Sequence, residues 1–214
     1  MSSTVIYLIR HSIPEYQTNA KGELLTYGPD ARLTEEGKQR ARNLADAILS
    51  RENGPLDVIF SSPFTRTYET ALILTEAFKL SKLLVVEELH DVKSSWAGMP
   101  KDKFMEITFA CKTYDDPHSL ESLVEVAERM VKAYRQILAE HADQRIGIVS
   151  HEDPLRVLYD QICHPYRNIP PYPLLVQELS LDFAQALRLE ISDGKVSGKE
   201  MLSGVSTPDR EGKG

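Results

Sequence analysis

The sequence has almost no cysteine: Cys111 and Cys163 are the only two in 214 residues, 52 positions apart and neither in a CxxC pair. That excludes a disulfide framework and a thiolate zinc site, and both thiols are expected to be reduced and structural. Long apolar runs are missing as well. The run near the start, Val5 to Ile9, stops at Arg10 and His11. It is far short of the roughly 20 residues a membrane span needs, and no signal-peptide cleavage pattern follows. A cytoplasmic protein with no membrane partner is expected. Positive charge is in deficit, with 25 Lys and Arg against 32 Asp and Glu for a net charge of -7. No diffuse basic field is therefore available for a nucleic-acid backbone, and no nucleic-acid partner is expected. No internal repeat is visible. What is present is ordinary globular material, 42% hydrophobic and 27% charged, enough for one domain with a sizeable core.

Short apolar runs rich in β-branched residues recur at Val5–Ile9, Asp57–Phe60, Leu83–Val86 and Arg145–Val149. Each has the length of a buried strand. Between them the spacing predicts helices over Thr34–Arg51, with Ala41, Leu44, Ala45, Ile48 and Leu49 on one stripe, and over Leu120–His141, through Val124, Ala127, Val131, Tyr134 and Leu138. Two more helices are announced after strands, by Ser62 before Pro63 and by Ser150 to Asp153 before Pro154. Thr34, Glu35 and Glu36 read as a capped helix start rather than a carboxylate site.

This alternation predicts an α/β fold, a three-layer α/β/α sandwich around a mainly parallel, mixed sheet. Residues 92–118 lack a clean period and mix Trp96, Phe104 and Phe109 with charges, so they are expected to form a small inserted lid. His164 to Pro173 holds four prolines and reads as a stiff loop, and the alternating Leu187, Leu189 and Ile191 lead to a turn at Asp193-Gly194. One domain over 1–202 is expected, with a disordered polar tail over 203–214.

Ligands of parallel α/β sheets sit beyond the carboxyl ends of the strands. The predicted strands end in Arg10-His11, in Ser61-Ser62-Pro63 with Arg66 one turn on, in Glu88-Leu89-His90-Asp91, and in Ser150-His151-Glu152-Asp153. Two arginines and two histidines at a rim that also presents helix N-termini make an anion site, and a phosphate group fits it.

The runs Leu8-Ile9-Arg10-His11, Leu33 to Gln39, Ser61 to Ala71 and Val149-Ser150-His151 resemble, in order and spacing, the histidine phosphatase superfamily in its phosphoglycerate-mutase-like branch. The resemblance covers roughly residues 4 to 190. It implies that His11 is the nucleophile that becomes phosphorylated and that Arg10, Arg66 and His151 hold the phosphoryl oxygens. No metal and no other cofactor is implied. In this branch a glutamate in a Leu-x-Glu run supplies the proton. The matching run here is Leu89-His90-Asp91, which points to Asp91, with Glu88 and Glu152 as alternatives. Ser12 stands where the family most often has glycine, and Gln17 stands where many members have an asparagine that touches phosphate.

A metal-independent phosphatase acting on a small phosphate ester is therefore expected. Two alternatives share the pocket: a cofactor-dependent phosphoglycerate mutase and a non-catalytic phosphate-binding module. The segment 92–118 holds Lys93, Lys101, Lys103 and Lys112 but no arginine, which favours the phosphatase. A metallohydrolase using His11, His90, His151, Glu152 and Asp153 lacks HxxE or HxH spacing.

Overall fold

The computed structural model describes residues 3–110, 120–165 and 167–205. Strand β1 (Ser3–Arg10) is followed by α1 (Glu35–Glu52), β2 (Val58–Ser61), α2 (Thr65–Ala77) and a short β3 (Leu84–Val85). A 3₁₀ turn (Glu87–Leu89) leads to α3 (Lys101–Ala110), α4 (Leu123–Glu140), β4 (Arg145–Ser150) and α5 (Glu152–Cys163). The chain ends with α6 (Tyr172–Glu178), β5 (Gln185–Ser192) and β6 (Lys195–Ser203).

The six strands form one sheet in the order β3-β2-β4-β1-β5-β6. The first four are parallel, while β5 runs antiparallel to β1 and β6 antiparallel to β5. Alternation within β1 divides the core. Ile6 and Leu8 pack with Ile146, Ile148 and the apolar residues of α4, α5 and α6. Tyr7 and Ile9 face the other way, onto Leu44, Ile48 and Leu74 of α1 and α2. Successive side chains of a strand point to opposite faces, so this pattern yields helices on both sides of the sheet, the expected α/β/α sandwich.

Register places the chemistry. Arg10 pairs with Ser150 and Ser61 with Val149, so β1, β2 and β4 end level with one another. The next residues, His11, Ser62 and His151, therefore emerge on one edge of the sheet. The loop after β1 is locked to α1: Ser12 Oγ donates to the Gly37 carbonyl at 2.6 Å, and a Cβ on Gly37 would lie 2.4 Å from the Ile13 carbonyl oxygen. Thr34 caps α1 by accepting from the Gly37 N–H.

Several local expectations are corrected. Helix α2 begins at Thr65 with Phe64 as its N-cap, so Pro63 lies before the helix rather than in its first turn. His151, not a Ser or Asp, occupies the N-cap of α5. The third strand is only two residues, and the 3₁₀ turn carries the chain from it to Asp91. Residues 92–118 include α3, whose Pro100 carbonyl accepts from the Phe104 N–H, and the stiff loop at His164 to Pro173 gives way to α6 at Tyr172. The buried stripe of α4 is Leu123, Val126, Ala127, Met130, Ala133 and Ile137; Ala127 is in the expected stripe, Val131, Tyr134 and Leu138 pack half-buried at its edge, and Val124 is exposed. Ser203 closes β6 and Gly204 still packs against Arg40, so the ordered chain runs past 202. Residues 206–214 of the expected tail, 111–118 of the expected lid, and Cys111 lie outside the described residues.

Candidate active site

A cavity of about 750 Å³ opens at the carboxyl edge of the sheet. Arg10, His11, Asp91, His151 and Glu152 line it, and Arg66 lies against both histidines. His11 is almost wholly buried at the end of β1. Its Nδ1 lies 2.7 Å from the Ser12 carbonyl oxygen. A carbonyl only accepts, so Nδ1 carries the hydrogen. Arginine only donates, and Arg66 Nε lies 3.2 Å from His11 Nε2, so Nε2 holds the lone pair. Burial, then the charges of Arg66, His151 and Arg10, keeps this ring's pKa well below its ordinary 6.5. The ring is neutral and the lone pair of Nε2 faces the arginine.

Arg66, in the first turn of α2, is 2% exposed and is the hub. Besides His11, it donates to the Gly28 carbonyl at 3.0 Å, to Asp91 Oδ2 at 2.8 Å and to His151 Nδ1 at 3.0 Å. Its guanidinium carbon lies 4.8 Å from the centre of the Tyr27 ring and 5.2 Å from that of Phe64, so aromatic faces fix its plane. Burial raises the Tyr27 hydroxyl to a pKa of about 12, which keeps it a neutral donor.

His151 accepts from Arg66 at Nδ1, so its hydrogen sits on Nε2, which donates to Ser62 Oγ at 2.9 Å. Burial, then the Arg66 charge, pushes its pKa well below 6.5 as well.

Asp91 closes the ring. Its Oδ1 accepts from the Val92 N–H at 2.9 Å, and its Oδ2 lies 2.8 Å from Arg66 and 3.3 Å from His151 Nδ1. Arg129 of α4 fastens the segment that carries it, donating to the carbonyls of Glu88 at 2.6 Å, His90 at 2.8 Å and Asp91 at 3.2 Å. Ser150 Oγ adds a bond to the Leu89 carbonyl. Arg10 donates Nη1 to the Leu181 carbonyl and to Glu152, and its guanidinium lies over the Phe183 ring. Its Nε is buried with no partner among the described residues.

The remaining candidates lie elsewhere or are already engaged. Glu88 turns to Lys132 and does not line the cavity, and Gln17 is exposed outside it. Glu152 lines the cavity, but each of its oxygens is taken by a guanidinium, Oε2 by Arg10 and Oε1 by Arg156. Burial raises its pKa above the ordinary 4.5. His90 bonds the Asp91 carbonyl and stacks on Phe64, away from the cavity. Among the described residues, one group of three side chains is spaced to hold a metal ion, Asp160, His164 and Glu178, and none of them lines the cavity.

Sequence reasoning missed Arg129, Tyr27 and Phe183. Arg129 left one signal, an arginine between Val126 and Met130 on the core-facing side of a helix. Tyr27 and Phe183 left none, because their loops have no period.

The pattern that describes the histidine phosphatase superfamily (branch 1) matches residues 6–189. The chain is 33% identical over 162 residues to phosphoserine phosphatase 1 of Hydrogenobacter thermophilus, covering 72% of this chain and 74% of that protein. It is 27% identical over 168 residues to a metal-independent phosphoserine phosphatase of Arabidopsis thaliana, covering 74% and 68%. The fold is similar to that of mycobacterial glucosyl-3-phosphoglycerate phosphatase, with a TM-score of 0.70 at 19% identity over 94% of this chain and 97% of the other. Among the described residues, no helix is long and apolar enough to cross a membrane.

Proposed function

The chain belongs to the histidine phosphatase superfamily, branch 1, and from that premise we propose that it hydrolyses a small phosphomonoester through a phosphohistidine on His11, without a metal or other cofactor. It is a phosphoric monoester hydrolase. The observation that carries the mechanism is the state of His11: Nδ1–H fixed on a backbone carbonyl, the ring neutral with His151 against it, and the Nε2 lone pair turned to Arg66.

In the first step Nε2 attacks phosphorus, the ester P–O bond breaks, and the Asp91 carboxyl gives its proton to the leaving oxygen. In the second, water attacks the phosphorus while the Asp91 carboxylate takes a proton from it. The P–N bond breaks, its electron pair returns to Nε2, and inorganic phosphate leaves. The guanidinium groups of Arg10 and Arg66 stabilise charge on the three equatorial oxygens, the largest contribution such a site makes, and His151 joins them as a donor when the negative charge of the bound phosphoryl group favours a proton on its Nδ1.

Hydrolysis rather than a mutase reaction is supported by the cations of the cavity wall. A mutase must hold a second anionic group while its intermediate turns, yet the Arg156 nitrogens are taken by Glu152, Asp153, Tyr172 and the Leu179 carbonyl. Among the described lid residues that line the cavity, Lys101, lying over the Tyr16 ring, remains as the cation. Phosphoserine, on which relatives act by name, is the first substrate to try.

The reading includes one domain with a lid over residues 92–118. What supports the lid is that Val92, Ser94, Trp96, Lys101, Phe104 and Met105 line the cavity, with Trp96 edge-on to Phe104. It also includes a cytoplasmic setting, in which a free thiol such as Cys163 stays reduced.

The test is hydrolysis of an aryl phosphate with a chelator present, comparing wild type with His11→Ala. Activity that survives chelation and vanishes in the variant is expected. Activity lost only on chelation, or retained in the variant, would overturn the mechanism.

A further inference from the structure

The first turn of α5 puts two carboxylates, Glu152 and Asp153, on the wall of an anion pocket, where uncompensated negative charge would weaken phosphate binding. Glu152 is compensated in a particular way. Its Oε2 lies 2.6 Å from Arg10 Nη1, and its Oε1 bonds Arg156 Nη2. Both arginines also hold one short segment between α6 and β5. Arg10 Nη1 donates to the Leu181 carbonyl at 2.5 Å, and Arg156 Nε donates to the Leu179 carbonyl at 2.9 Å. Phe183 of the same segment lies 4.3 Å beneath the Arg10 guanidinium. Arg156 is buried and held further by Asp153 at 2.5 Å and by the Tyr172 hydroxyl at 3.0 Å.

We infer that Glu152 is the positioning residue of Arg10, with Arg156 behind it, so that a ladder Arg156–Glu152–Arg10 aims one phosphate-binding guanidinium. The inference rests on the reading of Arg10 as a phosphoryl ligand. Arginine has several rotatable bonds, and its fork binds phosphate well only when its plane is set in advance. Here Nη1 is fixed on the Glu152 side, the ring of Phe183 sets the plane, and the buried Nε, which has no described partner, is left for a phosphoryl oxygen. Glu152 has a guanidinium on each oxygen, whereas Asp91 meets one guanidinium at Oδ2 and only a backbone N–H at Oδ1, so Glu152 orients Arg10 and leaves proton transfer to Asp91.

The experiment measures inorganic phosphate binding by calorimetry, which needs no turnover. It is joined to kcat and KM for two aryl phosphates whose leaving groups differ in basicity. Glu152→Ala is expected to weaken phosphate binding and raise KM on the order of 10- to 100-fold, equally for both esters, with kcat changing less. Glu152→Gln keeps an acceptor for Arg10 and is expected to fall between wild type and Glu152→Ala. Arg156→Lys is expected to act in the wild-type background and to add nothing once Glu152 is alanine. If buried Arg156 proves intolerant of change, the two Glu152 variants carry the test.

Unchanged phosphate binding in Glu152→Ala would overturn the inference while leaving the phosphatase reading intact. A loss that grows with leaving-group basicity would make Glu152 the acid instead, and additive effects would break the ladder. Failure of the wild type to bind phosphate would overturn both the inference and the pocket it rests on.

Discussion

Arg66 gathers His11, His151, Asp91 and the Gly28 carbonyl around one guanidinium, and only a planar fork reaches all four. Arg66→Lys keeps the charge but supplies one point donor. It is expected to lower kcat/KM for an aryl phosphate about 10²- to 10³-fold, the loss typical of removing a donor to developing charge. A loss of less than a few-fold in steady-state kinetics would contradict the hub role. Asp91→Asn removes the carboxyl proposed to carry the proton while keeping an acceptor for the Val92 N–H. The expected loss is about 10²- to 10⁴-fold for an alkyl phosphate such as phosphoserine and much less for 4-nitrophenyl phosphate, whose leaving group departs without a proton. Equal losses on both esters would remove Asp91 from the acid role. His11, Arg10, Arg66 and His151 were readable in the sequence because each follows a strand end within a recognisable run. Gln17 and Glu88 were readable only by position, and their side chains turn out to lie away from the cavity.

Arg129 shows how an element rather than a residue sets the position of Asp91. From α4 it binds three carbonyls of the segment 88–91, and it is itself paired with buried Glu121. Arg129→Lys cannot reach all three carbonyls. Steady-state kinetics on an alkyl phosphate should show kcat lower by roughly 10-fold or more, with inorganic phosphate inhibition little changed, because the segment bearing Asp91 loosens while Arg10 and Arg66 stay in place. A change in phosphate inhibition alone would contradict this. On the other side of the site, Gly37→Ala would drive a methyl into the Ile13 carbonyl and displace the loop that follows His11. A loss of about 1–3 kcal/mol in urea unfolding, with reduced activity, is expected, and full stability would contradict that packing. The buried strands were legible because β-branched runs are short and punctuated. Helices α3 and α6 were not: each is 10 residues or fewer and sits beside proline, too short for a clean apolar stripe to show.

The whole sheet was legible as an α/β sandwich because alternation of strands and helices leaves few ways to bury both faces, while the antiparallel pair β5 and β6 shows in the sequence through the alternating Leu187, Leu189 and Ile191 and the turn at Asp193-Gly194. At this scale the two neutral histidines couple the site to stability. His11 and His151 both have pKa values held well below 6.5 by burial, so below about pH 6.5 the unfolded chain takes up two protons that the folded one refuses. Stability is therefore expected to fall as pH drops from about 6.5 toward the folded-state pKa values. Urea unfolding of wild type at about pH 7.5 and about pH 5.5 should show a larger loss than the His11→Ala, His151→Ala double variant shows. Parallel losses would contradict the assignment. The most direct measurement on the molecule is its mass during turnover. Quenching the reaction under alkaline conditions, which preserve a P–N bond, and measuring the intact protein and its peptides should reveal one added phosphoryl group. The account predicts it on the peptide bearing His11, present in wild type and absent in His11→Ala. Steady turnover with no phosphorylated protein, or a phosphoryl group on any other residue, would contradict it.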